Sequence, residues 1–239
     1  MSLKLNLGCG HNYLKGWVNI DGPKDELCYD DLKADVYARI EELSYPECSV
    51  GEILMSAVLE HFPRNIAILQ LREFYNWLED NGKITVLVPD FFATVEKLKK
   101  SESVEEQLFW WRHIFGPQDT LSLGTHYDGF SEEKLKLMFF TVGFSKSICT
   151  KEGRWPNLRF TAFKKAPFMP EEEARQNIIN YLSLYEARSE TGKAFDAWMK
   201  AIGSNVTKKP ITPEFKTQHY SLFSKIKNRL KRFKHGGKD

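Results

Sequence analysis

Leu5-Asn6-Leu7-Gly8-Cys9-Gly10 closes an apolar stretch on two glycines, and Asp21 follows after a short gap. Beyond the carboxyl end of a strand in a parallel sheet, glycines let the backbone approach a ligand and take positive φ. A carboxylate ending the next strand can accept hydrogen bonds from both hydroxyls of a ribose. Alone, G-x-G also suits any sharp strand exit. A dinucleotide fold would carry G-x-G-x-x-G opening a helix, with an acid about 20 residues on. Here position 13 is Tyr13, and the gap to Asp21 leaves little room for a crossover helix. A pyrophosphate thereby loses its usual seat on a helix N-terminus, and no Walker lysine pattern is present. The spacing favours a ligand with a nucleoside and no phosphates.

These residues need a frame. Lys4 to Leu7, Trp17 to Ile20, Ala34 to Tyr37 and Gly51 to Ser56 read as short strands. Ile66, Leu69, Phe74, Trp77 and Leu78 give residues 65–79 a helical spacing, stopped by Asn81-Gly82. The nearly continuous apolar run Lys83 to Val88 suits a strand buried on both faces, and Pro89 ends it. Residues 91–115 read as one helix and 116–130 as a loop. Ser131 caps a further helix, with Glu132 and Glu133 in its first turn, and Gly143 ends it. Phe144 to Thr150 and Leu158 to Lys164 read as antiparallel neighbours. Such alternation predicts an α/β fold with a mostly parallel sheet. The core domain is expected at 1–166, a helical appendage at 167–210 (helices near 170–188 and 192–202), and a basic amphipathic helix within 211–239.

The order and spacing of several short pieces resemble the class I S-adenosylmethionine-dependent methyltransferases, and within them the small group encoded with bacterial surface-polysaccharide genes. The pieces are Asn6-Leu7-Gly8-Cys9-Gly10, Gly16-Trp17-Val18-Asn19-Ile20-Asp21, Ala34-Asp35-Val36, Val58-Leu59-Glu60-His61-Phe62, Asn81-Gly82-Lys83, Val88-Pro89-Asp90-Phe91 and His126-Tyr127-Asp128-Gly129-Phe130. The resemblance covers about residues 3–165. It implies a Rossmann-like, seven-stranded sheet with one antiparallel strand. It also implies that Gly8 and Gly10 let the backbone pass the methionine part of S-adenosylmethionine, with Asn6 and Cys9 in the same turn, and that Asp21 holds the ribose. Ser56 and Ala57 would line the methionine end, and Arg39 and Ile40 would cover the adenine. This chain departs from the pattern at Asn6 and Arg39, where relatives usually have an acid, and at Asn12, where they have glycine. An arginine cannot accept from the adenine amino group but can stack on its ring.

Methyl transfer is an in-line attack on a sulfonium carbon, so orientation and a competent nucleophile are the main demands. A sugar hydroxyl also needs a base within reach. Three candidates stand out. His126 lies in a Gly-Thr-His-Tyr-Asp-Gly loop, His61 follows the fourth strand, and Asp90 follows the fifth. Histidine has the best placed pKa, and His126 with Tyr127 is the favoured substrate pair. His61 could instead brace a helix start, and Asp90 could be an N-cap. The cluster Phe109-Trp110-Trp111-Arg112-His113 fits a core stripe. The alternative is a platform on which Trp110, Trp111 and His113 meet a sugar.

Residues 221–239 hold 7 of the 34 Lys and Arg but 1 of the 32 Asp and Glu, which leaves 27 against 31, a net −4, for the rest. An acidic body argues against a nucleic-acid groove. Leu222, Phe223, Ile226, Leu230 and Phe233 share one helical face among lysines and arginines, a pattern for an anionic membrane surface or for docking on the acidic body. No run approaches the ~20 apolar residues of a membrane span, and the N-terminus shows no signal-peptide pattern. The four scattered cysteines suit reduced thiols in the cytoplasm, and no histidine pair at i, i+4 suggests a metal. The expectation is a cytoplasmic methyltransferase, peripheral to a membrane through 221–235, using S-adenosylmethionine on a surface-glycan hydroxyl. The rivals are a small-molecule O- or N-methyltransferase, a non-catalytic scaffold and an NAD enzyme. The sequence does not name an oligomeric state.

Overall fold

A computed structural model describes residues 2–27, 31–119, 123–186 and 193–201. The amphipathic helix expected at 221–235 lies outside them. Seven strands form one sheet: β1 (Leu3–Leu7), β2 (Val18–Asp21), β3 (Val36–Tyr37), β4 (Val50–Ser56), β5 (Leu78–Pro89), β6 (Lys146–Glu152) and β7 (Asn157–Phe163). Their order is β3-β2-β1-β4-β5-β7-β6. β1 to β5 pair in parallel, and β7 runs antiparallel to both of its neighbours. The α/β, Rossmann-like sheet expected from the sequence is the one observed. The chain moves outward from β1 to β3 and returns to place β4 on the other side of β1, so the topological switch lies between β1 and β4.

The strands are apolar because both faces are covered. Leu5, Leu7, Ile53, Met55, Ile84, Val86 and Phe160 are fully buried. Helix α1 (Arg64–Trp77) turns Ala67, Ile68, Leu71, Phe74 and Tyr75 inward. Ile66 and Leu69, expected on the core stripe, are half-buried instead. The stop expected at Asn81-Gly82 is also displaced. The helix ends at Trp77, and Asn81-Gly82 forms a bulge inside β5, where Val50 pairs with Leu78 but Glu52 with Lys83. Asn81 takes φ +68°, and its N–H donates to Lys164 O at 2.8 Å.

The single helix expected over 91–115 is two: α2 (Phe91–Lys99) and α3 (Val104–Phe115). Ser103 makes the break, since its side chain caps α3 by accepting from Glu106 N. Ser131 caps α4 (Glu132–Thr141) in the same way, as the sequence predicts. Helices α5 (Glu171–Ser183) and α6 (Lys193–Ala201) follow. The segment leading into α5 is tied to the body: Arg72, on α1 and 5% exposed, donates to Val142 O, Met169 O and Glu171.

Candidate active site

The turn after β1 is built from local chemistry. Gly8 (φ +63°) and Gly10 (φ +51°) take left-handed conformations. A Cβ on Gly8 would overlap Val58 Cγ2, so the glycine is what brings this turn against the exit of β4. Cys9 N donates to Ile20 O, joining the turn to β2. Asp21 ends β2, and its carboxylate accepts from Gly10 N at 2.6 Å and from Gly22 N at 2.8 Å. No helix lies between β1 and β2. The turn and the carboxylate therefore face one place at the carboxyl edge of the sheet.

Asn6 has a structural reason. Its Nδ2 donates to Asn12 O at 2.8 Å and to Asn19 Oδ1 at 2.9 Å, and the side chain is buried. Asn19 in turn donates to Leu14 O, Trp17 O and Asp35. An acid at position 6 would face two acceptors. Cys9 is buried, and desolvation, then the Asp21 carboxylate, push its thiol up to about 12. At the end of β4, Ser56 is half-buried and Ala57 is exposed with φ +55°, an uncommon conformation for a residue with a Cβ. Ala57 N donates to Leu87 O, which fixes it there. Arg39 meets Glu26 at 2.6 Å, and Ile40 begins the short 3-10 turn that follows.

The acceptor-side candidates separate. His61 and His126 come together, ring centroids 4.7 Å apart and edge to face. His61 Nδ1 lies 3.1 Å from Thr125 O, and His126 Nδ1 lies 3.3 Å from Ile114 O. Burial pushes both imidazoles down, and the neighbouring His61 adds to the effect at His126, which falls to about 4. Asp90 is an N-cap: Oδ1 accepts from Ala93 N at 3.0 Å. In the aromatic cluster Trp110 is buried, with Nε1 unpartnered among the described residues, whereas Trp111 and Tyr127 are more than two-fifths exposed. The core-stripe reading thus holds for Trp110 alone on α3. His113 is half-buried, and burial lowers its pKa.

Glu60 is the residue that the sequence passes over. It is 1% exposed, and neither carboxylate oxygen has a hydrogen-bond partner among the described residues. Burial pushes its carboxyl up to about 8. Its backbone carbonyl accepts from Tyr127 N at 2.8 Å, which pins the His126 loop to the exit of β4. Ligand atoms of Glu60, His61 and His126 all lie within 4.8 Å of one another. The only sequence signal was the acid directly before His61, and alternation patterns do not say that such an acid is buried.

No family model and no curated protein matches the chain. Among solved structures it is similar to an S-adenosylmethionine-dependent methyltransferase from Archaeoglobus fulgidus, at 14% identity over 68% of this chain and 86% of that one, with a TM-score of 0.49. A protein from Pyrococcus horikoshii shares 15% identity over 68% and 81%, with a TM-score of 0.48. A methyltransferase from Thermotoga maritima, described as a possible histamine N-methyltransferase, shares 14% over 69% and 83%, with a TM-score of 0.47.

Proposed function

We propose that the protein transfers a methyl group from S-adenosylmethionine to an acceptor hydroxyl, and that the acceptor is a sugar of a glycan or its precursor. The observation that carries this reading is Asp21, held against Gly10 N at the sheet's switch point, with no helix between β1 and β2. That arrangement suits a nucleoside without a pyrophosphate. Asp21 would accept from the ribose hydroxyls. Gly8, Cys9 and Gly10 would pass the methionine portion, with Asn6 bracing the turn. Ser56 and Ala57 would border the methyl-bearing sulfur, and Arg39 and Ile40 the adenine.

The acceptor oxygen attacks the methyl carbon in line, and the carbon–sulfur bond breaks to give a neutral thioether. The hydroxyl proton leaves on the side of His61 and His126. Exposed Trp111, stacked on Phe115 at 5.7 Å, and exposed Tyr127 supply aromatic faces for a sugar ring. Phe115 O accepts from His126 N, so this platform adjoins the histidine pair. Residues 1–166 would carry the reaction, 167–210 would form the helical addition, and 221–235 would give a cytoplasmic enzyme peripheral contact with anionic lipid.

The test is transfer of a labelled methyl group from S-adenosylmethionine to panels of glycans and small hydroxyl or amine acceptors. Labelling of sugar hydroxyls that falls in Asp21→Asn at limiting S-adenosylmethionine supports the reading. Labelling confined to small molecules would overturn the glycan assignment, and no labelling of any panel would overturn the enzymatic one.

A further inference from the structure

Three side chains, Glu60, His61 and His126, meet at the exit of β4. Glu60 is a fully buried acid whose two oxygens have no partner among the described residues. Burial of an unpaired carboxylate is costly unless it is neutralised or bound to a cation. His61 and His126 each direct Nδ1 toward a backbone carbonyl, Thr125 O and Ile114 O. This is how metal-binding histidines are commonly braced, with the other ring nitrogen turned over to the ion.

We propose that Glu60, His61 and His126 form a binding site for a divalent transition-metal ion, with zinc as the best match. Two neutral imidazoles and one carboxylate are a common donor set for catalytic zinc, and they leave a coordination position open. The ligand atoms lie within 4.8 Å of one another. Bonds of roughly 2.1 Å at tetrahedral angles would bring them to roughly 3.4 Å apart. The set would close by about 1.4 Å at most, within the reach of side-chain rotation. Binding would displace the proton of Glu60, and the ion would then supply the counter-charge of the buried carboxylate.

The site stands on these three residues alone, whereas its role rests on the methyl-transfer reading. A hydroxyl bound at the open position would lose its proton to water more readily, because the ion stabilises the alkoxide. The alkoxide oxygen would then form the bond to the methyl carbon as the carbon–sulfur bond breaks. His126 would act as a ligand and not as the base.

The experiment uses the full, tag-free chain, stripped with a chelator and titrated with zinc in competition with a chromophoric indicator, with no methyl donor or acceptor present. One equivalent should bind at submicromolar Kd. Glu60→Gln and His126→Gln should each weaken it at least 100-fold while keeping the circular dichroism spectrum of the wild type. Should either variant fail to fold, X-ray absorption at the zinc edge of the wild type decides: two imidazole nitrogens with oxygen support the site, and sulfur or oxygen-only shells overturn it. Wild type that binds no more zinc than Glu60→Gln would also overturn it. Because binding is read without the methyl donor, this outcome is independent of whether the protein methylates anything.

Discussion

The backbone N–H of Gly10 donates to Asp21 Oδ2 at 2.6 Å and ties the turn after β1 to the end of β2. The neighbouring Gly8 and Gly10 have similar backbones, with φ +63° and +51°, but different surroundings. A Cβ on Gly10 meets nothing within 4 Å, whereas one on Gly8 overlaps Val58. We predict that Gly10→Ala costs about 1–2 kcal/mol for the left-handed conformation, and Gly8→Ala about 1–3 kcal/mol more for overpacking. Val58→Ala should recover part of the loss in Gly8→Ala. Urea unfolding checks the order, and equal costs at the two positions would contradict the account.

Much of this turn was legible because its determinants are local: glycine conformation, strand length and the short step to Asp21. The mostly parallel sheet was legible from the alternation of strands with helices, and its seven strands with one antiparallel from the family resemblance, whereas the strand order came from the structure. What could not be read depends on pairing between distant segments. Asn81-Gly82 looks like a helix stop, yet it is a bulge fixed by hydrogen bonds between Asn81 N and Lys164 O and between Lys164 N and Gly82 O. Ser103 looks like any polar residue in a long helix, and its capping role emerges once the chain turns between α2 and α3. Glu60 and His126 are far apart in sequence, so no spacing rule joins them.

Asn6 tests whether the departure from the methyltransferase pattern is structural. Its amide donates twice, to Asn12 O and Asn19 Oδ1. Asn6→Asp replaces a buried donor with an acceptor and should cost about 3 kcal/mol. Thermal melts of the purified variant should show a lower Tm than wild type at pH 7. An unchanged or higher Tm would mean that the network rearranges.

Arg72 is expected to matter far more than its ion-pair partner. It is buried and serves two backbone carbonyls, while the Glu171 side chain is 69% exposed. Arg72→Met should cost about 3–5 kcal/mol by leaving Val142 O and Met169 O without their donor. Glu171→Gln should cost less than about 1 kcal/mol. Chemical denaturation of both variants measures the difference, and comparable losses would locate the energy in the ion pair.

Cysteine chemistry offers an independent check on the turn. Burial, then Asp21, raise the Cys9 thiol to about 12, so it is almost wholly protonated at pH 8. Cys48 is exposed. Iodoacetamide at pH 8 should alkylate Cys48 well before Cys9, as read by peptide mass spectrometry. Preferential alkylation of Cys9 in the folded protein would mean that the turn is open to solvent.

The central claim is that the turn and Asp21 form a nucleoside site for a methyl donor. Calorimetric titration of S-adenosylmethionine and S-adenosylhomocysteine into wild type and Asp21→Asn tests it most directly. The account predicts micromolar binding of both ligands by wild type, weakened about 10- to 100-fold in the variant as charge-assisted hydrogen bonds to the ribose are lost. Absence of binding by folded wild type, or equal affinity in the variant, would contradict it.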